Sequence, residues 1–250
     1  MRIISSDKSE VCFFGTWQKL RHADKLSSIK VAECCDDVCE KLKTLGVTLD
    51  SVLMFEDHIT GMVCSCKFHI RLLRHIRHHL LRDVANMIAC SIVGTRIDYF
   101  NSLFYGVSEK YLDKLQHLQN KLAQVVVNTS LRDYYSVDLL SELHWMSIWS
   151  RITFKVASLC RHALNDGQPT YLVSKLNPYR LTRSLRSSDL DLFQDPLRRT
   201  KSGARRSSCF APGVWNSIPR SLREIQTTSV FKIQLKTYLF DTPPSQNSRK

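Results

Sequence analysis

Ile92-Val93-Gly94-Thr95-Arg96-Ile97-Asp98-Tyr99-Phe100-Asn101-Ser102-Leu103-Phe104-Tyr105-Gly106 is the stretch on which the reading of this chain turns. An apolar helical run ends at Arg96-Ile97-Asp98-Tyr99, turns through Asn101-Ser102 and passes by Leu103-Phe104-Tyr105-Gly106 into a second helix over 111–127. In that second helix Leu112, Leu115, Leu118 and Leu122 share one face at a 3.6-residue period. Ser108 is placed to cap it, and Glu109 puts a negative charge where the helix dipole favours one. On the other side of the turn, Asp83 is the expected cap of a helix over 84–98 with Ala85, Ile88, Ala89 and Ile92 apolar. Two amphipathic helices around a tight turn predict a mainly α fold.

Working outward toward the N-terminus, the pattern over 58–81 is also helical. Leu72, Leu73, Ile76 and Leu80 fall on one face, and Arg71, Arg74, His75, His78 and Arg82 fall opposite. No acidic residue stands between Asp57 and Asp83. A face of one sign repels itself unless counterions or phosphates neutralise it, so this helix is a candidate nucleic-acid contact. Further upstream, 11–15 and 29–32 read as short strands and 17–28 as a loop. Leu45, Gly46, Val47 and Leu49 read as one strand whose backbone is closely approached at the glycine.

Toward the C-terminus, a helical hairpin is expected to open at 133–137 and to carry Leu139, Leu140, Leu143, Trp145, Ile148 and Trp149. Gly167 and Pro169 end its second helix. The segment 180–206 holds eight basic and three acidic residues among serines and turn formers, and reads as a basic, partly irregular connector. Phe210-Ala211-Pro212-Gly213-Val214-Trp215-Asn216-Ser217-Ile218-Pro219 reads as a compact turn anchored by aromatic residues. A last helix begins at Thr227 or Thr228 with Phe231, Leu235 and Leu239 apolar, and 241–250 reads as a disordered tail.

Composition sets bounds on function. Lys and Arg outnumber Asp and Glu by 36 to 23, a net charge of +13 over 250 residues. That balance favours a polyanionic partner and says nothing of fold. The longest run without a formal charge, 207–219, contains two prolines and a glycine, so no membrane span is expected. No signal sequence follows Met1, and nine irregularly spaced cysteines suit reduced thiols; an intracellular protein, cytoplasmic or nuclear, is the expectation.

The stretch 92–106 and the helix after it resemble a segment of the reverse transcriptases of LINE-type, non-LTR retrotransposons of the jockey-like group. Further motifs follow in the family's order: Lys8-Ser9-Glu10 before Val11-Cys12-Phe13-Phe14-Gly15, Leu45-Gly46-Val47 with Asp50 and His58-Ile59, Leu143-His144-Trp145 with Arg151 and Lys155, Ser184-Leu185-Arg186-Ser187-Ser188, Trp215-Asn216, and the final helix. Ser147 stands where the family has proline. The resemblance implies an end-of-palm β remnant over 1–55, a helical thumb-like domain over 56–165, a connector over 166–226, a C-terminal helix over 227–240 and a tail over 241–250. It implies that Leu45, Gly46 and Val47 form the palm-edge strand beside the primer terminus. It also implies that the chain begins a few dozen residues after the family's catalytic hairpin.

The family's polymerase uses two divalent ions, Mg2+ in the parent enzyme, held by an aromatic-x-Asp-Asp hairpin and an upstream aspartate. The adjacent pair here, Asp36-Asp37, follows Cys34-Cys35 and lies after the Lys8-Ser9-Glu10 motif, not before it; a surface turn is the expected setting. Cys34, Cys35 and Cys39 with Cys64, Cys66 and His69 lack the paired spacing of a zinc site. No catalytic residue and no metal or cofactor site is therefore expected. The expected activity is nonspecific binding of RNA or DNA, with Arg71, Arg74, His78, Arg82, Arg183 and Arg186 as the contacts. Two alternatives stand beside it: a decayed transposon reading frame, and a domesticated interaction module using Trp145, Trp149 and Trp215. The helical spacing of these tryptophans favours the core over an interface.

Overall fold

The computed structural model describes residues 10–23, 28–31, 34–129, 136–179, 192–197 and 201–242. The chain is mainly α with a small β element near the N-terminus. It divides into two compact units, 1–65 and 66–250, with the division inside one helix.

The first unit is built on two antiparallel hairpins. Strand β1 (Ser28–Val31) pairs with β2 (Cys34–Asp37), and β3 (Lys41–Thr44) with β4 (Val47–Asp50). Asp36-Asp37 thus lies in a strand, not in the expected surface turn. The expected single strand through Leu45, Gly46 and Val47 is also corrected. Leu45 and Gly46 have φ of 48° and 77° and form the two-residue turn between β3 and β4. Two successive positive φ values match the type I′ turn, whose twist suits a hairpin. Leu45 is 77% exposed, and of the three residues only Val47 lies in a strand and is buried. The alternation that suggested one strand is interrupted where the backbone turns left-handed. The expected strand over 11–15 reduces to a bridge between Val11 and Val38, and part of the expected loop is helix α1 (Trp17–Ala23).

After β4, the Asp50 carboxylate accepts the amides of Val52, Met54 and Phe55 at 3.1, 2.8 and 2.6 Å. This holds a loop in which Leu53 and Phe55 carry positive φ and delivers the chain into helix α2 (Glu56–Ile76). Glu56 and Asp57 occupy the first turn of α2, where the dipole favours acids.

The second unit continues through a 3-10 turn (Arg77–His79) to α3 (Arg82–Ala89), a π turn (Cys90–Gly94) and α4 (Thr95–Asp98). The cap of α3 is Leu81, and Asp83 sits in its first turn without capping it. The buried line is Ala85, Ala89, Val93 and Ile97, whereas Ile92 is exposed. A strict four-residue step drifts by about 40° per step on an α-helix. The wider π turn absorbs that drift, which a uniform 3.6 period did not anticipate.

The turn that follows is left-handed at Phe100 and runs through Asn101–Phe104 to Gly106, with Asn101 and Phe104 buried. At Gly106 φ is +75°, and a Cβ there would stand 3.0 Å from Arg205 Cγ, so both backbone and space call for glycine. Helix α5 (Glu109–Val127) buries Leu112, Leu115, Leu118 and Leu122, as the period predicts.

Helix α6 (Ser136–Glu142) packs on α5, and Leu139, Leu140, Leu143 and Trp145 are buried. Ser147 caps α7 (Ile148–Asp166) by accepting the Ser150 amide, so a serine side chain starts this helix. Three further bonds seat this junction. Gln119 Nε2 donates to the Met146 carbonyl, Gln116 Oε1 accepts from the Ile148 amide, and Trp145 Nε1 donates to Asn86 Oδ1. Arg151 pairs with Asp98 at 2.8 Å and joins α7 to the end of α4.

Helix α7 is the centre of this unit. Ile152, Val156, Ala157, Cys160 and Ala163 are buried, as are Ser150, Thr153, Ser158 and Arg161 on its other sides. A helix buried this widely needs neighbours all round. They are the turn over Asn101–Phe104, α5, α8 (Ser207–Asn216) and α9 (Thr228–Asp241). The expected aromatic turn over 210–219 is therefore a helix for most of its length, with Pro212 inside it. Burial of Phe210, Val214 and Trp215 against α7 outweighs the local Pro-Gly signal. The Arg161 guanidinium lies 5.0 Å from the Trp215 ring and 5.1 Å from that of Phe231, and donates to the Arg223 carbonyl. Trp145 and Trp215 are thus core residues, and Trp149 is half-buried.

Candidate nucleic-acid interface

The buried line of α2 is Ile59, Val63, Cys66, Ile70 and Leu73, and it runs on to Arg77. Leu72 and Ile76, expected in the core, are 50% and 43% exposed. The buried face is rotated from the expected one because Arg77 lies on the inward side. Its guanidinium replaces the aliphatic side chain that the pattern calls for.

Arg77 is buried for a specific purpose. The last carbonyls of a helix have no intrahelical donor. Arg77 Nε and Nη2 donate to the Val126 carbonyl at 2.9 and 2.7 Å, and Nε also donates to Val125 at 3.1 Å. Both carbonyls belong to the last turn of α5, where a cation also suits the dipole. Arg77 Nη1 donates to the Leu80 carbonyl at 2.8 Å. This clamp fixes the rotation of the end of α2, and so fixes which side chains face outward.

Arg71, Arg74, His75, His78 and His79 are all exposed. Lys67, one turn before Arg71, extends the row; a step of four back from Arg71 would have shown it in the sequence. Lys67, Arg71, Arg74 and His78 form one flank of the helix and the turn that follows it. No carboxylate among the described residues pairs with any of them. Arg82 differs: it starts the separate helix α3 and is paired with Glu142 at 2.7 Å. Arg183 and Arg186 lie outside the described residues.

Elsewhere, His58 Nδ1 accepts the Thr48 amide at 3.4 Å, and burial pushes the imidazole below its usual value. Burial also raises the thiol of Cys66, and pushes Cys160 up to about 12. Raised thiols of this kind are poor nucleophiles and poor metal ligands. Among the described residues, no group of three or more His, Cys, Asp or Glu side chains is placed to hold a metal ion. No helix among them is long and apolar enough to cross a membrane.

No family model matches the sequence, and no curated protein or solved structure matches it either.

Proposed function

We propose that this chain is a LINE-type reverse-transcriptase-like fragment without its catalytic Asp-Asp motif. On this reading it binds RNA or DNA nonspecifically and does not polymerise by itself. The resemblance along the sequence supports the family origin. The observation that carries the binding activity is the exposed flank Lys67-Arg71-Arg74-His78, inside a stretch with no acid between Asp57 and Asp83. Such a surface attracts phosphates by releasing counterions, and reads charge spacing in preference to sequence.

The test is fluorescence anisotropy of a labelled RNA–DNA primer–template across a salt series. Three or four phosphate contacts give a slope of log K against log salt of roughly −3. Arg71→Glu with Arg74→Glu is expected to flatten that slope by about 2. A folded sample that fails to bind at low salt would sink the proposal.

A further inference from the structure

The outer side of α2 carries a second stripe that the charge pattern alone does not explain. Phe68, Leu72 and Ile76, at steps of four, are 54%, 50% and 43% exposed. They run about 100° round the helix from the basic flank, since Phe68 follows Lys67 and Leu72 follows Arg71. The exposed His75 lies between the two stripes, two turns on from Phe68. The rings of His78 and His79 stand in the turn after the helix, their centroids 3.9 Å apart.

A duplex presents sugar and phosphate outward and keeps its base faces stacked inside, so a basic flank alone is what it needs. In a nucleic acid, the partner for an apolar and aromatic stripe along that helix is a base that has left the stack. From Phe68 to Ile76 the stripe is about 12 Å long, from the 1.5 Å rise per residue. We infer that this face holds an unpaired strand of nucleic acid, with phosphates on Lys67, Arg71 and Arg74 and base faces on Phe68, Leu72 and Ile76. The inference rests on the nucleic-acid reading above and departs from a duplex-gripping thumb.

The experiment uses the full chain and three labelled probes: a short oligouridine, the same strand annealed to its complement, and an abasic strand of equal length. The variant is Phe68→Ser with Leu72→Ser and Ile76→Ser, three exposed positions whose replacement leaves the core intact; circular dichroism checks the fold. The oligouridine is expected to bind at least about tenfold more tightly than the abasic strand, the effect of one stacked base. The triple variant is expected to lose that advantage while its salt slope and its duplex binding stay unchanged. Phe68→Leu is expected to lose part of it. Equal binding of oligouridine and abasic strand, or no loss in the triple variant, would overturn the inference and assign the stripe to a protein partner. That result would leave the basic-flank reading standing. Failure of all three probes to bind would remove both.

Discussion

Replacing Arg77 by methionine tests whether the clamp on α5 sets the geometry of this surface. Methionine keeps most of the side-chain volume and removes every donor. The Val125, Val126 and Leu80 carbonyls then lose their bonds to the guanidinium. A hydrogen bond to a charged group contributes about 1.5–3 kcal/mol, and a buried acceptor left unpaired costs about 1–3 kcal/mol. Against this, the variant no longer buries a charge that has no carboxylate partner among the described residues. The net loss is about 3 kcal/mol. For a unit of this size that corresponds to a fall in melting temperature of roughly 6–12 °C. Thermal and urea unfolding followed by circular dichroism would measure it. Amide exchange at 127–129 is expected to accelerate in the same variant, because the last turn of α5 frays first. Arg77→Lys keeps the charge but not the fork, and is expected to recover less than half of the loss. If Arg77→Met shifted the midpoint by under about 2 °C, the clamp would not be what orients the basic flank.

Leu45→Asn is expected to stabilise the β3–β4 hairpin by about 1 kcal/mol, because asparagine tolerates the left-handed conformation that leucine resists; slower exchange of the Thr44 and Val47 amides would show it. The depressed His58 predicts an acid-side effect. The folded hairpin favours neutral imidazole, so its stability is full above the unfolded value of 6.5 and falls as the pH drops through it toward the lower folded value. Exchange of the Thr48 amide against pH reads this directly, and His58→Asn, which keeps an acceptor without a titration, is expected to flatten the profile. The Cys160 thiol, pushed up to about 12 by burial, is expected to resist a thiol reagent at neutral pH until the chain unfolds, whereas the exposed Cys64 reacts in the native state; mass spectrometry of the labelled peptides distinguishes the two.

Local periodicity was enough for much of this chain. The leucines of α5, the helix after Thr227 and the mainly α class were legible because amphipathic spacing is a local signal that packing then confirms. So was the row Arg71, Arg74, His78, since like charges at helical spacing can only be solvated or neutralised. Three other features were decided only by tertiary contacts. Pro212 is held in a helix because Trp215 and Phe210 are buried against α7, a long-range gain that the Pro-Gly dipeptide does not show. Leu45-Gly46 became a turn because β3 pairs with β4, and pairing is set between segments and not within either one. The inward face of α2 was settled by Arg77. An arginine reads as surface in any sequence, and its burial depends on the free carbonyls of α5, some 48 residues away along the chain.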